Sequence, residues 1–207
     1  MASYLGEYSG NYGRCATDRV AKFHRAVQSV MDQDSPSWEL LIVADGCDQT
    51  WEQQQRYTDQ RIRFLWIGKQ RLWSGKVRNS GIFLAKGERI VYLDTDDMLA
   101  PDHLTSIEAG LHAAGNPPWA VCNDWVWDDG RKDFVERVAA PTRENGIGTS
   151  NLVHQPGIYW PEPEYRWPDM GYDHDRVFYK ALLNTGAPVH IEGGRYLVCH
   201  IPRLYDI

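Results

Sequence analysis

Three aspartates crowd into four positions at Leu93-Asp94-Thr95-Asp96-Asp97, directly after the apolar run Ile90-Val91-Tyr92-Leu93. Ligands of open α/β sheets bind in the crevice beyond the carboxyl ends of strands, which is where such aspartates would stand. Gathering like charges there is costly unless a cation or solvent compensates. A hard divalent ion, Mg²⁺ or Mn²⁺, accepts one or two carboxylates and completes its shell with water and substrate phosphates. The competing reading is an acidic turn capping the helix that starts at Pro101. The tie to a strand end favours the metal.

The elements that must position this motif follow from periodicity. Val20, Phe23, Val27, Val30 and Met31 recur at helical spacing, predicting a helix over Arg19 to Asp32 capped by Thr17 or Asp18. Glu39 to Ala44 is a short apolar run suited to a strand covered on both faces. Gln49 to Gln60 reads as a polar surface helix and Arg61 to Ile67 as the next strand. Lys76 to Lys86 is read as a helix ending at Gly87, a C-cap residue, and Arg89 to Leu93 as the strand feeding the aspartates. Pro101 suits the first turn of a helix running to Ala114. Strand and helix alternate up to that point, which indicates an α/β sheet of mainly parallel order flanked by helices. Beyond Asn116-Pro117-Pro118 the pattern loosens. Ala120 to Trp127 and Lys132 to Val138 read as strands joined by a turn, Arg143 to Pro168 as loops, Asp173 to Asn184 as a last helix, and Val189–Ile191 and Tyr196–His200 as closing strands. A boundary near residue 115 divides two halves of one domain, 1–115 and 116–207, rather than two domains.

Composition narrows the function. A length of 207 residues suits one well-cored domain, and 43% hydrophobic with 24% charged residues argues against disorder. The net charge of −6, with no basic cluster beyond Lys69 to Arg78, argues against nucleic acid as the main partner. The longest apolar run, Leu40 to Ala44, is far below the roughly 18 residues of a membrane helix, so no transmembrane segment is expected. Neither a secretory signal nor a membrane anchor is visible. Cys15, Cys47, Cys122 and Cys199 are scattered, which reads as reduced thiols in the cytoplasm. Most of the nine tryptophans are expected in the core, with one or two of the second half forming a flat wall for a sugar.

Four ordered blocks carry a resemblance: Ala26-Val27-Gln28-Ser29-Val30-Met31-Asp32-Gln33, Trp38 to Gly46, Val77-Arg78-Asn79-Ser80-Gly81-Ile82 through Glu88, and Leu93 to Asp97. Together they resemble the family 2 glycosyltransferases, of the nucleotide-diphospho-sugar transferase (GT-A) superfamily, over roughly residues 20 to 105. The resemblance implies a single Rossmann-like GT-A domain, with 1–115 binding the nucleotide-sugar donor and 116–207 the acceptor. It implies that Asp45 contacts the base or ribose, that Arg78 helps hold the nucleotide and that Lys76 reaches a phosphate. Asp94 would lie nearer the ribose and Asp96 nearer the metal, with Asp97 a second candidate ligand. Gly171-Tyr172-Asp173-His174-Asp175-Arg176 corresponds to a later acidic block, which makes Asp173 the catalytic base and Asp175 the fallback. His200 falls where relatives keep a histidine near the diphosphate or metal. The activity implied is metal-dependent, inverting transfer of a sugar, from a UDP-sugar by default, to a hydroxyl of a glycan or other acceptor.

The chain departs from the family in its opening. Family members begin with a strongly apolar strand, whereas Ser3 to Tyr12 is short and polar, with Tyr4 to Tyr8 the nearest counterpart. An aspartyl-phosphate phosphatase shares an Asp-x-Asp after a strand, but wants a small Thr or Val where this chain has Met98. The rival of a different class is a non-catalytic nucleotide- or carbohydrate-binding protein of the same fold, which would keep the metal site and lack the base.

Overall fold

The computed structural model describes residues 1–6, 17–70, 74–140, 146–159, 166–171 and 173–199. Its first sheet is wholly parallel: β1 (Ala2–Ser3), β2 (Leu40–Asp45) and β3 (Ile62–Ile67) lie in that order, with Ala2 opposite Val43 and Leu40 opposite Ile62. Helix α1 (Arg19–Met31) lays Phe23, Ala26, Val27 and Val30 against Leu40 and Ile42, as its period required. Burying a side chain of that size contributes about 1.5–3 kcal/mol. Asp18 takes the N-cap position in a left-handed conformation, φ 54°, without a side-chain cap bond. The strand expected at Tyr4–Tyr8 lies instead at Ala2–Ser3; Tyr4 to Gly6 are not part of it, and Glu7 and Tyr8 lie outside the described residues.

The polar segment after β2 folds as α2 (Asp48–Glu52) continued by a 3₁₀ turn over Gln53–Arg56. Helix α3 (Gly75–Leu84) stops earlier than its sequence suggested. Ala85 is extended, and the Glu39 carboxylate accepts the backbone N–H of Lys86 (2.5 Å) and Gly87 (3.1 Å), so an acid rather than a glycine cap turns the chain. Strand β4 (Ile90–Val91) and strand β5 (Met98–Leu99) bracket the aspartates. Helix α4 (His103–Ala113) has Asp102 at its N-cap, and Pro101 belongs to the preceding turn.

The segment read as one strand over 120–127 is two. β6 (Trp119–Val121) and β7 (Asp124–Asp128) enter different sheets, and β8 (Asp133–Arg137) forms the expected hairpin with β7. The region read as loops holds β9 (Leu152–His154), which pairs antiparallel with both β4 and β6. Three residues between loop signals are too few for a period to register. Helix α5 (His174–Leu183), β10 (Val189–His190) and β11 (Tyr196–Val198) stand close to expectation. The second sheet runs β10-β6-β9-β4 and the third β5-β11-β7-β8, both mixed in direction. Trp119, Trp167, Phe178 and Leu182 centre the core beneath α5, while Ile107 and Leu111 of α4 pack on Ala120 and Val153.

Two histidines, His103 and His154, are fully enclosed, and burial lowers each to about 4. His154 Nε2 faces the Tyr92 hydroxyl at 2.6 Å, and its Nδ1 lies 2.9 Å from the Gln155 carbonyl. Between about 4 and the unfolded value near 6.5 the unfolded chain takes up protons that the native chain refuses. Stability is therefore expected to fall as pH drops from 6.5 towards 4, by up to one proton per histidine in the slope. Urea midpoints measured across that range check this, and His154→Asn should remove part of the slope; an unchanged slope in that variant would show His154 not to be the source.

Candidate active site

The strand ends bring the chemistry together. Asp45 closes β2 and is buried, with Lys69 Nζ at 2.5 Å from Oδ2 and the Gln70 N–H donating to Oδ1 at 2.7 Å. Gly46 makes that turn possible: its φ is +55°, and a Cβ there would lie 2.6 Å from the backbone of Lys69. Lys69 also lies 4.0 Å from the centroid of the Tyr4 ring. Asp45, expected to contact a base or ribose, is ion-paired with a lysine that sequence reasoning passed over.

Arg78, on the buried face of α3, is the centre of the arrangement. Its Nη2 donates to Asp94 Oδ1 at 3.0 Å and its Nη1 to His174 Nε2 at 2.6 Å, while the guanidinium carbon stands 4.6 Å from the centroid of Trp167. A guanidinium only donates, so Nε2 of His174 presents its lone pair and the ring proton sits on Nδ1. A buried cation needs partners of this kind to offset its lost hydration. Trp167 is itself fixed: Asn79 exchanges two hydrogen bonds with its backbone at 2.9 and 3.0 Å. Gly75 lets this segment approach, since a Cβ there would stand 2.2 Å from the Pro168 carbonyl oxygen. Neither His174 nor Trp167 was singled out by sequence. His174 stands in the same acidic block as Asp173, but nothing in its spacing announces an arginine nearly a hundred residues away.

The three aspartates diverge. Asp94 faces Arg78 and is partly exposed, and Asp96 is partly exposed as well. Asp97 turns inward: Tyr196 donates its hydroxyl to Oδ2 at 2.9 Å and the Cys199 N–H donates to Oδ1 at 2.8 Å. The same tyrosine hydroxyl accepts the Asp94 N–H at 3.0 Å, so β11 grips the motif from behind. Arg25 of α1 adds a bond from Nη2 to the Asp96 carbonyl at 2.7 Å. Burial, then the charges of Asp96 and Asp94, raise the Asp97 carboxyl well above its usual range. Tyr196 is likewise raised well above its usual value, by burial and then by Asp97.

Of the expected metal ligands, Asp96 is the one that could offer a carboxylate oxygen at a strand end to a hard cation that brings its own waters and phosphates, while Asp94 is bonded to Arg78. Asp97, expected as the alternative ligand, has both oxygens engaged by the protein. His200 lies outside the described residues. Among the described residues no group of three or more His, Cys, Asp or Glu is clustered as a ready-made metal cage.

Asp173 takes the N-cap position of α5, directly before His174, with an exposed carboxylate 3.1 Å from Arg176 Nη2. The Asp175 carboxylate accepts the Arg176 N–H at 2.8 Å. Lys76, expected at a phosphate, is ion-paired at the surface with Asp169. Trp119 and Trp167 belong to the core, whereas Trp66 is among the exposed aromatics. No helix of the described residues is long and apolar enough to cross a membrane.

Comparison with known proteins identifies the family and the fold. The family profile described as Glycosyl transferase family 2 matches residues 15–148, more than half of the chain. The putative colanic acid biosynthesis glycosyl transferase WcaA of Escherichia coli is 37% identical over 108 residues, which are 49% of this chain and 37% of that protein. The putative teichuronic acid biosynthesis glycosyltransferase TuaG of Bacillus subtilis is 35% identical over 81 residues, 38% of this chain and 32% of that one. The chain therefore matches only about a third of the length of these relatives. Among solved structures, S. aureus TarS 1-349 in complex with UDP aligns with a TM-score of 0.71 at 18% identity, covering 87% of this chain and 57% of that one. The mannosyltransferase PcManGT from Pyrobaculum calidifontis, in complex with GDP-Man and Mn²⁺, aligns with a TM-score of 0.65 at 14% identity, covering 98% and 56%. These likenesses agree with the α/β architecture of parallel sheet and flanking helices. With that profile matched over more than half of its length, the chain belongs to glycosyl transferase family 2.

Proposed function

We propose that this protein transfers a sugar from a nucleotide-diphospho-sugar to an acceptor hydroxyl with inversion at the anomeric carbon, using Mn²⁺ or Mg²⁺ and, as first choice, a UDP-sugar. The observation that carries this reading is Arg78, buried and held between Asp94, His174 and Trp167 at the strand end that also carries the partly exposed Asp96. The complexes of its structural neighbours with UDP and with GDP-Man and Mn²⁺ support a donor of this class.

Asp45 and Asp94 would orient the nucleoside, with Arg78 holding the Asp94 carboxylate in place. Asp96 would hold the metal, with His200 a further candidate ligand, and the ion would stabilise negative charge on the departing nucleoside diphosphate. Lys76 would leave Asp169 for a donor phosphate. Asp173 would take the proton of the acceptor hydroxyl as that oxygen bonds to the anomeric carbon and the bond to the diphosphate breaks. Attack on the face opposite the leaving group inverts the centre.

The test is thermal unfolding with UDP, GDP, TDP and CMP, each with and without Mn²⁺. A nucleotide at about 100 times its dissociation constant adds roughly 2.7 kcal/mol. One nucleotide should raise the midpoint in a metal-dependent way, and no shift with any of them would remove the donor-site reading. Asp173→Asn should retain that shift while losing about 10²–10⁴ in turnover. A variant that keeps its turnover would pass the role of base to Asp175, and a product of retained configuration would end the inverting mechanism.

A further inference from the structure

One buried carboxylate takes no part in the donor chemistry. Asp124 opens β7, in the interior of the third sheet between β11 and β8, and it is wholly enclosed. Both of its oxygens are engaged. Oδ1 accepts from Arg137 Nε at 2.8 Å, while Oδ2 accepts from Arg137 Nη2 and, at 2.6 Å, from the Ser150 hydroxyl. Arg137 itself, opposite Asp124 in the β7–β8 register, keeps 55% of its side chain exposed. Only one edge of its fork is used, and Nη1 has no partner among the described residues. A buried ion pair adds little to stability over an apolar pair of the same volume, so stability alone gives little reason for this one. What the pair does is hold a half-exposed guanidinium in one orientation.

The register sets where that guanidinium stands. Leu99, Tyr196, Asp124 and Arg137 form one row across β5, β11, β7 and β8. Arg137 is thus three strand spacings, about 14 Å, from Leu99. Tyr196 of the same row carries the hydroxyl that grips Asp97. The bond to Asp124, and less strongly the charge of Asp97, raise the Arg137 guanidinium above its usual value, so the motif lies within its electrostatic reach. Glu136 belongs to the next row and so to the opposite face, where Asn123 Nδ2 donates to it at 2.7 Å. A Cβ on Gly148 would meet Ser150 Oγ at 3.8 Å and Asp175 Oδ2 at 4.0 Å. Ser150 therefore links the Arg137–Asp124 pair to the first turn of α5, which Asp173 caps.

We propose that Arg137 binds an anionic group of the acceptor, a carboxylate or a phosphate set apart from the hydroxyl that reacts, and that Asp124 and Ser150 position it for this. A planar guanidinium meets two oxygens of such a group at once, which a neutral hydroxyl cannot match. The acceptor is its partner because Arg137 stands on the outer strand of the third sheet, linked through Ser150 to the helix of the proposed base. The residues expected at the donor, Asp45 and Arg78, ride on β2 and α3 instead. The assignment to an acceptor rests on the transferase reading; the anion site does not.

The experiment titrates methyl glucuronide, glucose 6-phosphate and neutral methyl glucoside into the protein and follows its ¹H–¹⁵N spectrum, the arginine Nε–H signals included. At least one of the two acids should bind about tenfold or more tightly than the glucoside, the gain from a charge-assisted bond, and should shift the Arg137 Nε–H signal. The tighter of the two names the group as carboxylate or phosphate. Arg137→Lys keeps a cation beside Asp124 but loses the fork, and most of the preference should go with it. Asp124→Leu combined with Arg137→Met removes the pair together. That variant should stay folded with nearly the wild-type midpoint and bind acid and neutral sugar alike. A metal-dependent shift with UDP should be the same in all three proteins, and its absence from the wild type would count against the transferase reading without touching the acid preference. Equal binding of acid and neutral sugar by the wild type, binding of neither acid, or a preference retained in the double variant would overturn the proposal.

Discussion

Asp96→Asn is expected to abolish the metal-dependent part of nucleotide stabilisation and to lower transfer by about 10²-fold or more. Asp97→Ala, one position away, is expected to do something different. Asp96 is partly exposed at the strand end, where its carboxylate can meet a cation. The Asp97 carboxylate is buried and accepts from Tyr196 and from the Cys199 N–H. Truncating it leaves two enclosed donors without their acceptor, at about 1–3 kcal/mol each. Relief of the repulsion from Asp96 and Asp94 offsets part of that cost. Asp97→Ala should therefore lower the urea midpoint of the free protein while a metal-dependent shift survives in the folded fraction. Asp96→Asn should leave the free protein's midpoint nearly unchanged. The reverse pattern, with metal dependence lost on changing Asp97 and kept on changing Asp96, would exchange the two roles.

That contrast also marks how far the sequence could be read. The motif announced a strand-end acidic cluster, because an apolar run followed by carboxylates has few other uses in an α/β sheet. It could not rank Asp96 and Asp97, since ranking depends on β11 and the residue after it, about a hundred residues later, where Tyr196 and Cys199 bond to Asp97. The helices α1 and α5 were legible because their apolar faces repeat over several turns. The break between β6 and β7 was not, because Cys122 and Asn123 carry no glycine or proline and the change of sheet is imposed by tertiary pairing. β9 escaped for a related reason: Leu152-Val153-His154 is three residues long, and its place between β4 and β6 is a non-local choice. Gly87 misled because a glycine after a helical run is the commonest stop signal, whereas the Glu39 carboxylate makes the turn here. Local patterns specified which elements exist; contacts between distant segments decided which side chains face one another.

Trp167 is the position where those distant contacts converge, and Trp167→Ala is expected to lower stability by about 3–5 kcal/mol. The side chain is almost wholly enclosed and stacks on Phe178 with ring centroids 4.4 Å apart. Its Nε1–H donates to the Tyr92 hydroxyl at 2.8 Å, and that hydroxyl lies 2.6 Å from His154. The indole face meanwhile supports Arg78, an attraction of about 0.5–2 kcal/mol. Truncation thus opens a cavity and also frees the guanidinium that holds Asp94. Trp167→Phe separates the two effects. It keeps an aromatic face for Arg78 and Phe178 and loses the Nε1–H donor, which should cost about 1–2 kcal/mol. Urea denaturation should order the proteins as wild type, Trp167→Phe, Trp167→Ala. Nucleotide affinity, measured under conditions where each variant is folded, should fall clearly in Trp167→Ala and little in Trp167→Phe. If Trp167→Ala lost stability but bound nucleotide as the wild type does, Arg78 would be held by Asp94 and His174 alone, and the tryptophan would act only in the core.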